Sequence, residues 1–163
     1  MMLDDFDIAI LAALQKNGRL SNRELADTIG LSAAPCWRRL KRLETEGYIK
    51  NYTAELTPKK VNLNIVAFAQ ISMDNHHPKT LEAFLSIVSE CPEIQECHSV
   101  SGQCDYLLKI ITRDMESYEA LLSNRLLQAE GVRSASTIFS LKQPKVTREL
   151  PLNEYSSSST SPR

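Results

Sequence analysis

Residues 21–49, SNRELADTIGLSAAPCWRRLKRLETEGYI, constrain this chain more than any other stretch: they spell two short helices joined by a glycine turn, with cations crowded on the second. Ser21 and Glu24 have the S-x-x-E spacing of a capping box, in which hydroxyl and carboxylate each satisfy an amide at the helix start, so a helix is predicted from Asn22. Gly30, lacking a Cβ, takes the positive φ that ends this helix and turns the chain. Ser32 is then the natural N-cap of a second helix. Pro35 falls in its first turn, where a missing N–H costs little because those amides have no intrahelical partner.

The second helix divides its faces. Cys36, Leu40 and Leu43 lie at i, i+4 and i+7, an apolar stripe suited to packing on the first helix, while Ala33, Ala34, Trp37, Arg38 and Lys41 point elsewhere and Arg39 and Arg42 flank the stripe. Four cations between Arg38 and Arg42 suit phosphates along a major groove, and the small residues at the helix start allow close approach to base edges. The reading that follows is a helix-turn-helix, with Arg38 on a base and Arg39 and Arg42 on phosphates. On that reading Arg38→Ala relaxes specificity and Arg42→Ala weakens all sequences alike.

Charge is distributed to match. The net charge of −1 hides an asymmetry: residues 1–60 hold 10 Lys and Arg against 8 Asp and Glu, and residues 61–163 hold 9 against 12. No apolar run reaches membrane-spanning length, and the acidic start MMLDDFDIAIL lacks the cationic region of a signal peptide, so the expected location is cytoplasmic, with no membrane partner. Cys36, Cys91, Cys97 and Cys104 include no C-x-x-C pair and no histidine at finger spacing, so they read as structural thiols and neither metal nor cofactor is expected. Cys91 and Cys97 bracket the turn CPEIQEC, but the setting argues against a standing disulfide. His76 and His77 sit beside Pro78 in a polar loop and His98 on a strand, in surface roles.

Upstream of Ser21, Phe6, Ile10 and Leu14, widened by Ile8 and Leu11, predict a first helix ended by Asn17-Gly18. Downstream, GYIKNYTAELTP alternates enough to predict a two-stranded wing from Gly47 to Pro58. After Lys60 the pattern changes to strand (64–73), helix (79–89), strand (94–100), strand (106–112), helix (115–128) and strand (132–141), with Ser101-Gly102 in the turn between the middle strands. The order β-α-β-β-α-β is that of a ferredoxin-like unit, four antiparallel strands with two helices on one face. The fold class is therefore α+β: a winged helix-turn-helix over residues 1–60, a ferredoxin-like domain over 61–152, and a polar, disordered tail over 153–163. The other sheet face is left bare, with Leu107, Ile111 and Phe139 as its apolar candidates. A second copy of the chain covers it most simply. A homodimer would place two reading helices on half-sites about 34 Å apart, so the expected partner is a palindromic double-stranded operator.

A helix-turn-helix carrying GLS-x-x-PCW-x-R-x-x-x-LE-x-x-GYI, followed by a βαββαβ domain carrying ECHSVSGQCDYLLKI, resembles the feast/famine Lrp/AsnC family of transcription regulators over residues 2–152. The resemblance implies a regulator that dimerises through its C-terminal, RAM-type domain, often forms octamers, and answers to an amino acid or related metabolite at the interface between dimers, against the loop joining the second and third strands. Carried over position by position, it implies effector contacts at Ser99, Ser101, Gly102, Asp105, Tyr106, Met115, Ile138, Phe139 and Ser140, and DNA contacts at Ser32, Ala34, Pro35, Trp37, Arg38, Arg39, Lys41 and Arg42. The chemistry is compatible: exposed amides beside Gly102 suit an α-carboxylate, and Asp105 suits an α-ammonium. Trp37 has two readings, on a thymine methyl or sugar in the groove, or packed between helix and wing.

Two other classes compete. Catalysis finds no carboxylate pair, Ser-His-Asp set or phosphate loop, and Cys97 and His98 point to opposite faces of a strand, so no catalytic residue is assigned and the chain is not read as an enzyme. The alternative to DNA binding is an allosteric small-molecule-binding subunit that controls a partner protein. Salt separates the two, because a DNA complex loses affinity with a log–log slope of about −0.9 per phosphate contact.

Overall fold

The computed structural model describes residues 3–152, and the predicted tail over 153–163 lies outside them. The chain divides into two compact units: residues 3–55 together with 145–152, and residues 56–144. Residues 145–152, expected with the second domain, pack instead in the first unit. The Gln15 side-chain amide brackets the backbone of Leu150, accepting from its N–H at 2.6 Å and donating to its carbonyl at 3.3 Å, and Arg148 meets Glu55 at 3.4 Å.

In the first unit α1 (Asp5–Lys16), α2 (Asn22–Ile29) and α3 (Ala33–Thr45) close around Ile10, Leu25, Ala26, Cys36 and Leu43. Ser21 and Glu24 form the predicted capping box, and Gly30 ends α2 at φ 73°. Asp4 and Asp7 form a second capping box at the start of α1. Phe6, predicted to face the core, is 42% exposed and lies instead under the Arg39 guanidinium, 5.5 Å from its ring centre. The wing does not form. Gly47 at φ 77° belongs to the end of α3: the Tyr48 amide donates back to the Leu43 carbonyl and the Gly47 amide to that of Glu44. Residues 50–57 then run without strand pairing, held by side chains, with the Tyr52 hydroxyl donating to Glu44 at 3.0 Å. A period-two pattern needs a partner edge, and the turn at Gly47 serves a helix.

The second unit is β1 (Ile65–Met73), α4 (Pro78–Glu90), β2 (Ile94–Ser99), β3 (Tyr106–Thr112), α5 (Met115–Leu121) and β4 (Val132–Phe139), in an antiparallel sheet ordered β2-β3-β1-β4. The helix predicted to reach residue 128 widens at Leu122–Leu126 into one turn in which the Leu127 amide reaches the Leu122 carbonyl, and this turn buries Leu126. Ala67 and Ala69 in the central strand leave room for Phe84, Leu108, Ile110, Tyr118 and Leu126 to fill the space under the helices. Phe139 is part of this core, edge-on to Tyr118 at 5.1 Å, so it faces the helices and not the bare side. Its neighbour Ile138, 54% exposed and opposite Phe68, takes that place. The bare face therefore holds Val66, Phe68, Leu107, Ile111 and Ile138, with the Lys109–Glu96 ion pair at its β2 edge. The cysteines are free, and burial pushes the Cys36, Cys91 and Cys97 thiols up, away from reactivity at neutral pH.

Gly131 precedes β4 at φ 83°, and a Cβ there would lie 2.1 Å from Cγ2 of buried Thr80. Gly131→Ala is expected to cost this unit about 2–4 kcal/mol, adding backbone strain to overpacking, read as a lowered urea midpoint.

Candidate nucleic-acid interface and effector loop

Helix α3 is positioned from both sides. Its inner stripe, Cys36, Leu40 and Leu43, seats on the small core, and its first carbonyl, that of Ala33, accepts from Asn22 Nδ2 at 2.9 Å, tying it to the start of α2. What remains outward is a row of Ala34, Trp37, Arg38 and Lys41 at i, i+3, i+4 and i+7, all exposed, with Trp37 at 52%. No ion pair among the described residues engages Arg38. Among the described residues Lys41 pairs only with surface Glu44, at 2.6 Å, an exposed (i, i+3) pair of small energetic weight. Ser32 precedes α3 in extended conformation, but its hydroxyl makes no capping bond.

Arg39 and Arg42 do not share this row. They lie toward α1, where the carboxylate of Asp7, 1% exposed, accepts from Arg39 Nη1 at 2.9 Å and from Arg42 Nη2. Asp4 adds a second acceptor for Arg39 at 2.6 Å. Desolvation pushes the Asp4 carboxyl up, but the Asp7 amide and the Arg39 guanidinium outweigh it, and the net shift is downward. Arg39 and Arg42, expected on phosphates, are thus paired within the chain: a buried carboxylate must be paired, and these are the charges that pair it. Pro35, Arg38, Arg39, Arg42 and Asp4 line an open groove beside the outward row. Asp4 and Asp7 went unnoticed in the sequence. Their signal was a carboxylate pair at capping spacing facing an Arg-x-x-Arg in a helix that packs across them.

In the second unit the loop between β2 and β3 closes with the Val100 amide on the Asp105 carbonyl at 3.0 Å, and Gly102 takes φ 129° at its exposed tip. Asp105, expected to face a ligand's ammonium, already has two partners within the chain. Its Oδ2 accepts from the Met73 amide at 2.7 Å and its Oδ1 meets His76 Nε2 at 2.7 Å, so both oxygens clamp the loop to the end of β1. The Met73 amide first, and His76 second, hold its carboxyl below the usual range. His76 is a contributor that sequence reading left as a surface residue.

The remaining effector candidates fall into two groups. Ser99, Ser101, Gly102, Asp105 and Tyr106 gather at the end of the sheet where Tyr106 pairs with Ile71, although the Tyr106 ring itself is buried against Phe84 at 5.0 Å. Met115, Ile138, Phe139 and Ser140 gather at the opposite end, where Phe139 pairs with Ala67 and the Ser140 amide meets the Val66 carbonyl. The four residue steps from Ala67 to Ile71 separate the two ends by about 13 Å of strand. One copy of the chain does not bring them into one pocket.

A helix-turn-helix unit joined to a ferredoxin-like unit with an open loop defines a DNA-binding regulator that carries its own ligand-binding domain. Family models agree in both halves: the Lrp/AsnC ligand binding domain matches residues 66–150, and a winged helix-turn-helix DNA-binding domain matches residues 3–50. The leucine-responsive regulatory protein of Klebsiella pneumoniae is 43% identical over 148 residues, 91% of this chain and 90% of that protein; its Escherichia coli K12 counterpart is 42% identical over the same length. A transcriptional regulator from Neisseria meningitidis, solved as a complex with L-Met, superposes with a TM-score of 0.90 at 41% identity, over 94% of this chain and 99% of that one. An AsnC family transcriptional regulator from Agrobacterium tumefaciens gives 0.88 at 38%, over 93% and 99%. The chain belongs to the Lrp/AsnC family of transcriptional regulators. No helix among the described residues is long and apolar enough to cross a membrane.

The Asp105 clamp sets an acid limb to stability. Its pKa is lower in the folded chain than the ordinary 3.8, so its contribution is complete above that pH and is lost as the carboxylate protonates below it. Thermal melts should show Asp105→Asn less stable than the parent at pH 7, with the gap narrowing as the pH falls below 3.8.

Proposed function

We propose that this chain binds a palindromic double-stranded operator as a homodimer, sequence-specifically and without catalysis, in the cytoplasm, and that an amino acid or related metabolite regulates it. The carrying observation is the outward row of α3. Ala34, Trp37, Arg38 and Lys41 form an exposed row on a helix held on its inner face, and Arg38 has no competing partner among the described residues. Ser32 and Pro35 lie at the entry to that helix, placed to meet the backbone. We read Trp37 as groove-facing; its half-exposed ring and the unpaired backbone of residues 50–57 support that reading.

The effector site is completed between copies. The loop end of one sheet and the Met115–Ser140 end of another supply its two walls, in dimers or in larger assemblies of them, and the apolar face of Val66, Phe68, Leu107, Ile111 and Ile138 supports the pairing. The exposed amides around Gly102 suit the α-carboxylate. Methionine and leucine are the first ligands to try, given what the relatives are named for or bind.

Two measurements test this reading. In anisotropy titrations against a duplex selected from a random pool, Arg38→Ala should cost roughly 1–3 kcal/mol on the selected site and little on scrambled duplex; equal losses on both would refute the base-reading role. In a thermal-shift screen of the twenty amino acids, a true effector at a hundredfold over its Kd adds about 2.7 kcal/mol of stability. That shift should vanish in Met115→Ala, whose side chain is 52% exposed, so that its truncation leaves the core intact. A screen with no hit would sink the amino-acid effector and leave DNA reading standing.

A further inference from the structure

We infer that Asp7, assisted by Asp4, is a specificity-determining positioning residue of the DNA interface: it withholds Arg39 and Arg42 from phosphates and so suppresses binding to bulk DNA. The inference rests on the DNA-binding reading above and deepens it.

Two of the four cations of α3 are consumed inside the protein, both by a carboxylate that is 1% exposed. The arginines themselves are not buried; their side chains are 29% and 27% exposed, and they line the same open groove as Arg38. They stand where a phosphate could reach them, with their charge already matched. Asp4 reinforces the match from the surface, accepting from Arg39 at 2.6 Å while capping α1 through the Asp7 amide at 2.9 Å. The buried Nε of Arg42 has no acceptor among the described residues, so that guanidinium is held through the Asp7 contact alone.

Affinity for any duplex scales with the number of phosphates a protein neutralises, and this term carries no sequence information. Neutralising Arg39 and Arg42 from within removes up to two such contacts while leaving Arg38 free to read a base. A carboxylate that only stabilised the fold would, when removed, weaken binding to every DNA alike. Removal of a carboxylate that withholds cations has the opposite sign on bulk DNA.

The test uses the full chain, Asp7→Asn and Asp4→Asn. Asparagine is as good an N-cap as aspartate, so the second variant keeps the α1 cap, removes charge at a half-exposed site, and stands in if Asp7→Asn does not fold. Each protein is titrated with a duplex selected by the parent from a random pool and with a scrambled duplex, across a salt series. Each guanidinium released should make the log–log salt slope on scrambled DNA steeper by about 0.9 and raise affinity there roughly fivefold to tenfold near 0.1 M salt, so the ratio of selected to scrambled affinity falls. An unchanged or shallower slope with an unchanged ratio in a folded variant overturns the inference and leaves the DNA-binding reading intact. A parent that binds no duplex overturns both.

Discussion

The buried carboxylate of Asp7 is the interaction on which the DNA-binding unit turns. An ionised group taken out of water is tolerated only when paired, and breaking a buried pair costs about 3–5 kcal/mol, comparable with the whole stability of a domain this small. Arg39 and Arg42 therefore have little freedom. The apolar core beneath, five buried side chains with a ring of half-buried ones, seats the Cys36, Leu40 and Leu43 stripe of α3, and the ion pairs join that helix to α1 at its flank.

In the second unit the corresponding constraint is alternation. Helix-side positions of β1 and β3 are buried almost without exception, and most of the other residues of these two strands are left half exposed, Phe68 and Leu107 among them. A period of two forces this division, so a sheet with helices on one side must leave its second face to something else. The same division keeps the two ends of the effector constellation about 13 Å apart in one copy. On the proposed reading of the effector site, an effector that touches both ends would also favour the assembly that brings them together.

Helix boundaries in the first unit were legible from capping chemistry, because Ser21, Glu24 and Gly30 act on amides within three residues of themselves. The β-α-β-β-α-β order of the second was legible from apolar spacing, and so was the outward face of Leu107 and Ile111, but at β4 Phe139 and Ile138 exchange faces. There the sequence offers two adjacent large apolar residues, and only the fit of Phe139 against Tyr118 decides which goes in. The wing was misread because Gly47 and Tyr48 carry the same signal for a hairpin as for a helix end; the distinction lies in whether the Leu43 carbonyl is in reach.

What the sequence determined by itself was everything set by local physics: the capped helices, the alternating strands, the βαββαβ order and the family those imply. The allocation of charge was decided by tertiary structure alone. Arg38 and Arg39 are neighbours of identical chemistry, yet one is free and the other is bound to residues 32 and 35 positions away. Asp105, suited by type to a ligand's ammonium, is spent on Met73 and His76. Ion pairs and hydrogen bonds form between whatever groups folding brings within 3 Å, and spacing along the chain carries no record of that distance.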